Sequence, residues 1–501
     1  MSGESTLVLP GVAAKRSAMI TALVLTVLCL LALPEITGRP VVKDAGESLR
    51  IALHVEHDGV YSENPRPPYG PTMLREPVPI MVTVAEIWAM DAVLGRAEPA
   101  AYFSGDRARY VKLQNLLWLG LLMAAAAGSA AFFGLSVPWQ IAAAIAVELP
   151  FTVLVPPGTR YAIGLDSLAT ELAGAALLCT GSLVLTIGFA RRRVRTLALA
   201  SFVFGLLALT KAAFFYIYPL VLASTAVLYA AVTPAARWIR KQTALALLAL
   251  ALPFLVLCSA WMVRNHAQTG YFQMAERGGP IVLYRGLLDG MTHEEYAGSF
   301  YAWAASGTLQ RVFGILTGFT PPDLEAGGRL QHLAMGLPGA AGQRDLENED
   351  EGRPELALTW YRQSRAVYER YRRAEIAAGA RYPPGAADRK TEADGFKLIA
   401  GRRWMHFALF VPLLLRGATV IFPLLVLTLV YARAARRGEL AVFILPALGF
   451  VLFYAMITHF VQRYGWLPRP ASTIALIVIV AELWRHGWPR TAAERASAQP
   501  G

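Results

Sequence analysis

Charge is scarce in this chain. Only 16% of its 501 residues are Asp, Glu, Lys or Arg, and 55% are hydrophobic, whereas a soluble domain carries about 25% charged residues. The mean hydropathy is +0.43, and the chain holds many apolar windows of the roughly 20 residues that a bilayer crossing needs. The shortage of charge therefore excludes an ordinary soluble domain and points to a polytopic membrane protein. Cysteine is scarce too. Cys29, Cys179 and Cys258 each fall inside an apolar run, so neither a disulfide framework nor a metal-ligand spacing is indicated. No repeat with a period of about 20–50 residues is visible. The first apolar stretch, "SAMITALVLTVLCLLALPEI", lacks a small-x-small cleavage site and reads as an uncleaved anchor.

What the chain does have is positive charge, a net +12, arranged in short clusters between apolar runs: "AAKR", "RRRVR", "RWIRK", "RAARR" and "RHGWPR". This is the pattern of the positive-inside rule, and it argues against nucleic acid as a partner. The apolar windows predict ten spans, at about 17–36, 111–133, 137–156, 166–190, 196–212, 213–232, 242–263, 405–432, 440–459 and 469–485. Ten spans with the N-terminus inside put every basic cluster on the cytoplasmic side. Reading 196–232 as a hairpin that turns at Lys211 is what keeps "RRRVR" and "RWIRK" on the same side.

The expected fold is all-α. A transmembrane module covers residues 1–263 and includes a first outer loop at 37–110. A mainly helical outer loop domain follows at 264–404, then C-terminal spans at 405–487 and a cytoplasmic tail at 488–501. In the first loop, 78–95 is helix-like but carries Glu86 and Asp91. A carboxylate at the bilayer centre costs roughly 2.5 kcal/mol or more, so an interfacial helix is expected there. In the large loop, an imperfect apolar stripe predicts a helix from about Pro354 to Gly379, and the acidic run before it reads as a solvated loop.

Polar residues gather at the outer ends of the predicted spans. Asp44 and Glu47 follow the first span, Arg160, Asp166 and Glu171 open the fourth, and Lys211 sits at the hairpin turn. Arg264 and Asn265 end the seventh span, and His459, Arg463 and Tyr464 follow the ninth. Ionisable groups at one membrane depth on several helices can build one cavity. Cations at the outer edge suit a lipid-borne phosphate, and a carboxylate suits a general base acting on a hydroxyl. Together they fit sugar transfer from a polyprenyl-phosphate sugar, whose phosphate leaves without protonation. His54 and His57 stand among acids, but a metal site needs more ligands at known spacing, so these histidines, with Glu56 and Asp58, read as solvated surface and no metal is expected. Glu47 either assists Asp44 or pairs with Arg50.

Six stretches, in order, resemble the GT-C glycosyltransferases, in particular the bacterial branch of protein mannosyltransferases, aminoarabinose transferases and lipopolysaccharide core sugar transferases. They are "KDAGESLRIA" with "DGVYS", "PPYGPTMLREPVPI", "DSLATELAGAALL", "FGLLALTKAAFFYIYP", "AWMVRNHAQTGYF" and "HFVQRYGWLPRPASTIAL". Two departures stand out: Ala45 and Ser48 where many members carry a second acid and a Tyr, and Ala260 where Pro is usual before Trp261. The first weakens a metal role more than a base role. The resemblance implies an inverting transferase in the cytoplasmic (inner) membrane with its site facing the periplasm. It also implies a polyprenyl-phosphate sugar donor and a glycan, lipid or protein acceptor. Asp44 would be the base, and Lys211, Arg264 and Arg463 would be the cations for the donor phosphate. Glu171 would touch sugar or acceptor. By their place at the span ends, Arg160, Tyr464 and His459 are further substrate-contact candidates, with an aromatic belt the other reading of Tyr464 and a cap the other reading of His459. No cofactor is expected beyond an optional divalent cation. A transporter or flippase for lipid-linked sugars and an oligosaccharide ligase are the alternatives.

Overall fold

The structure, a computed structural model, describes residues 12–67, 69–153, 164–232, 240–276, 278–334 and 341–487. Among these residues the regular structure is helical, with no strand. Backbone groups in lipid must be satisfied within their own segment, and a helix does this without an edge. In chain order the helices are α1 (Val12–Ala32), α2 (Lys43–Asp58), α3 (Pro77–Leu94), α4 (Gly105–Lys112), α5 (Gln114–Phe132), α6 (Val137–Glu148), α7 (Thr170–Ala190), α8 (Val194–Ala208), α9 (Ala213–Val232) and α10 (Arg240–Thr269). The loop domain follows with α11 (Gly278–Leu288), α12 (His293–Ala302), α13 (Gly307–Thr317), α14 (Ala341–Asp350), α15 (Trp360–Ala377) and α16 (Pro383–Gly401). The chain then closes with α17 (Arg403–Ala408), α18 (Phe410–Ala418), α19 (Ile421–Ala435), α20 (Gly438–Ile457), α21 (Gln462–Gly465) and α22 (Arg469–His486).

Six helices among the described residues are long and apolar enough to cross a membrane, or seven if a bent pair counts as one span. Shorter apolar helices occupy 137–151, 194–208, 213–227 and 421–435. The hairpin at 196–232 is present: α8 ends at Ala208 and α9 begins at Ala213. Three features depart from the expectations. The window 405–432 is not one straight helix. It is broken into α17, α18 and α19, and α16 meets the α17–α18 segment at 97°. Pro412 and Pro423 each fall in the first turn of a new helix, where the missing N–H costs least. Helix α22 carries Arg469, Glu482 and Arg485 and is not among the six; Glu482 is engaged by Arg437 and by Tyr431 at 2.8 Å. Helix α3 has the length and composition of a span as well. Its Asp91 is bound by Tyr102 at 2.6 Å and Arg107 at 2.8 Å.

Helix α7 is the hub of the apolar core, packed on α5, α8 and α20. Small residues let it sit close to its neighbours: a Cβ on Gly181 would meet the Phe204 ring at 2.6 Å, and one on Gly188 would meet Leu197 at 2.6 Å. The loop domain is helical as expected, with α11 packed between α15 and α16. The acidic run 345–350, read above as a loop, lies in α14. Buried Asp345 accepts from Thr359 N at 2.9 Å and Thr359 Oγ1 at 2.6 Å, so the run is fixed by a tertiary contact that its composition does not announce.

Candidate functional site

Two clamps position the first loop. Lys112, fully buried, donates to Thr37 O at 3.0 Å and Arg39 O at 2.8 Å and pairs with Asp166 at 2.9 Å. Asp166 also accepts from Thr37 N and Oγ1 at 2.8 and 2.7 Å, so its carboxylate is saturated by structural partners. On the far side of the loop, Glu76 accepts from Ala212 N at 2.9 Å, and Val78 N donates to Leu209 O at 3.0 Å. These bonds seat the 70s segment on the α8–α9 turn, beside Lys211.

Helix α2 starts between the clamps, with Asp44 in its first turn, where the helix dipole favours a carboxylate. Lys43, just before it, has φ 55°, a left-handed conformation rare for a residue with a side chain. Asp44 is held by two arginines from distant segments: Arg75 Nη2 at 2.8 Å from Oδ1, and Arg463 Nη1 at 3.0 Å from Oδ2. Arg75 also binds Glu47, so Glu47 shares Asp44's cation. Burial works to raise the Asp44 carboxyl, but the two guanidiniums outweigh it and hold the group well below the ordinary carboxylate range.

Arg463 connects this pair to a second one. Its Nε lies 3.2 Å from Glu171 Oε1, and Lys211 Nζ lies 3.1 Å from the same oxygen. Glu171, 2% exposed, opens α7 and so also sits at a helix N-terminus. Tyr464 underlies the group, with Lys211 Nζ 5.6 Å and the Arg463 guanidinium 5.4 Å from its ring. His459 packs edge-on to Tyr464 at 5.4 Å, and its buried Nδ1 has no hydrogen-bond partner. Burial, with help from Arg416 and Arg463, pushes the His459 pKa down to about 3, so the ring is neutral. Arg463 depends on one glycine for its place. A Cβ on Gly465 would stand 2.0 Å from the Gly417 carbonyl oxygen, so only glycine lets α21 approach α18 this closely.

Asp44, Arg75, Glu171, Lys211, His459 and Arg463 all line one cavity of about 1070 Å³, whose other walls come from α15, α16 and α20. Carboxylates and cations thus meet in a space large enough for a sugar and its linkage. Arg264 does not line it. The helix expected to end at 263 runs on to Thr269, and Arg264 donates to Thr72 O at 2.9 Å while lying 4.9 Å from the rings of both Tyr61 and Trp261. Arg160 lies outside the described residues. Sequence reasoning did not single out Arg75, although it stands in the Arg-x-Pro-x-x-Pro stretch that precedes α3.

His54, Glu56 and His57 are not the solvated surface expected of them. His54 is buried, with Nδ1 2.8 Å from Ser62 O. His57 Nε2 lies 2.8 Å from Glu56 and 4.0 Å from Asp91, and this is the one trio among the described residues with three potential metal-ligand atoms close together. Arg107 at 2.8 Å from Asp91 and Arg96 at 3.7 Å from Glu56 already supply positive charge there.

No family model matches the chain, and no curated relative matches it. Among solved structures it is similar to ArnT from Cupriavidus metallidurans in the apo state, at 16% identity and a TM-score of 0.33, over 93% of this chain and 78% of that one. Both figures are too low for residues or activity to be carried across.

Proposed function

We propose that this protein is an integral membrane glycosyltransferase that moves a sugar from a polyprenyl-phosphate donor to an acceptor hydroxyl. The proposed site lies on the extracytoplasmic face of the cytoplasmic membrane. The observation that carries this reading is the shared Arg463, which joins the Asp44 carboxylate to the Glu171–Lys211 pair inside one cavity. The acceptor oxygen attacks the anomeric carbon as its proton passes to Asp44. The bond from that carbon to the phosphate oxygen breaks with inversion, and the phosphate departs with its charge held by Lys211 and Arg463. One base suffices, because a phosphate leaves without being protonated; hydrolysis by a carboxylate pair needs a second group.

With both arginines in place Asp44 is a weak base. A phosphate drawing Arg463 toward Lys211 removes one cation from Asp44, and losing an opposite charge raises a carboxyl pKa. Donor binding thus primes the base for the step it must perform. The transporter alternative calls for charges near the bilayer midplane, whereas Glu171, Lys211 and Arg463 stand at helix ends or turns. The test is Asp44→Asn in membranes supplied with radiolabelled polyprenyl-phosphate sugars. The expected loss is about 10²–10⁴-fold, with unchanged protein abundance. Full activity in the variant overturns the base assignment.

A further inference from the structure

The cavity has a second cationic station, and it does not lie on the membrane helices. Helix α15 of the loop domain turns Tyr361, Arg365, Tyr368 and Arg372 toward the cavity, at spacings of four, three and four that share one helix face. Most cations of the cavity wall have carboxylate partners: Arg75 with Asp44, Lys211 and Arg463 with Glu171, and Arg372 with Glu369 at 2.8 Å. Arg365 differs. Among the described residues it makes no ion pair, and its hydrogen bond goes to the Tyr361 hydroxyl at 3.4 Å. The acids nearest it, Glu349 and Glu369, are engaged by Arg362 and Arg372. Burial works to lower the Arg365 pKa, but Tyr361 and those acids raise it further, so the group stays charged. Next to Tyr361, with ring centroids 6.0 Å apart, stands the neutral His459 with its unpartnered buried Nδ1.

A half-buried guanidinium that faces a cavity with no carboxylate of its own is a vacancy for an anion, because an unpaired charge out of bulk water costs free energy until a counter-charge arrives. A guanidinium fork with a phenol and an imidazole beside it suits the planar or tetrahedral oxygens of a carboxylate or phosphate. A polyprenyl-phosphate sugar has one phosphate, and in the reading above Lys211 and Arg463 take it. We propose that Arg365, with Tyr361 and His459, binds a second oxyanion, carried by the acceptor. The acceptor is then an anionic molecule, a phosphorylated or carboxylated glycan or lipid, and the loop domain selects it. This inference rests on the transferase reading.

The test is a binding measurement on the full-length protein in detergent, with undecaprenyl phosphate as the donor-side probe and glycerol 3-phosphate as the soluble anion. With undecaprenyl phosphate saturating, the wild type is expected to bind glycerol 3-phosphate still. Arg365→Gln should weaken that binding about tenfold or more and leave undecaprenyl phosphate within about twofold, and Arg365→Lys should recover part of the loss. Three results overturn the proposal. Arg365→Gln could weaken undecaprenyl phosphate instead, which makes the anion the donor's own. Saturating undecaprenyl phosphate could abolish glycerol 3-phosphate binding, which leaves a single site. The variant could change neither. If the wild type does not bind undecaprenyl phosphate at all, the transferase reading and the acceptor assignment fall together. Glycerol 3-phosphate binding without the lipid then still decides whether Arg365 forms an anion subsite.

Discussion

The two ends of helix α2 carry nearly the same sequence chemistry and have opposite situations. The first turn holds Asp44, with Glu47 just beyond it, and the last turns hold Glu56, His57 and Asp58. At the first end, Asp44 is half exposed in a wide cavity, and its arginines come from segments 31 and 419 residues away. At the other end, Glu56 and His57 are packed against Asp91 of α3, with Arg96, Tyr102 and Arg107 closing the group. The difference teaches that a carboxylate's neighbours in space, and whether those neighbours also reach a cavity, decide its use. Local charge density does not.

After Asp44→Asn, the largest effect should come from Arg463→Gln, which unties Asp44 from Glu171 and removes a proposed phosphate ligand; sugar transfer is expected to fall about 10²-fold or more. Gly465→Ala attacks the same end indirectly. Its methyl group has no room against Gly417, and overpacking of this kind costs about 1–3 kcal/mol. Thermal unfolding should register the loss, and transfer should fall because Arg463 shifts. Glu171→Gln should lower transfer about tenfold, by leaving Lys211 without its partner. At the closed end, Asp91→Asn should lower stability by about 1–3 kcal/mol, because Arg107 and Tyr102 lose a charged acceptor, while transfer per folded molecule holds. A matching loss of transfer there would erase the contrast between the two ends.

A pH titration gives the smallest and finest test. The Asp44 carboxyl is depressed in the folded protein, so its contribution to stability is complete above the ordinary carboxylate pKa of about 3.9 and is lost as pH falls through the folded value. The gap in melting temperature between wild type and Asp44→Asn should therefore stay level from neutral pH down to about pH 5 and close only in stronger acid. A gap that closes near neutrality would mean that Asp44 is not held by its two arginines.

Much of this arrangement is legible from sequence. Apolar windows mark most of the helices, and the positive-inside pattern gives the hairpin at Lys211. Polar residues at span ends include Asp44, Glu171, Lys211, His459, Arg463 and Tyr464, which the structure brings to one cavity. What escaped has a common cause. Arg264 looks like Arg463 in a linear reading, since both follow an apolar run, but α10 continues to Thr269 and Arg264 lies against Tyr61 and Trp261. Arg75 lies in an irregular segment and Arg365 on a helix whose apolar stripe gives the helix but not what its polar face meets, and their roles come from contacts across the fold. The Asp345 anchor of α14 is hidden for the same reason.

The Lys112 clamp sets an order in time. During synthesis Thr37 and Arg39 emerge first, then Lys112, and for the next stretch of chain that ammonium has carbonyl partners but no counter-charge. Only when Asp166 follows can the lysine be sealed away from water, with its partner 54 residues behind it. The segment that leads into α2 is therefore secured midway through translation, and Asp44 waits longer still. Its second arginine arrives only 419 residues downstream. A nascent or truncated copy that stops short of Arg463 can thus carry the acid with Arg75 as its one arginine partner, and the complete site requires both.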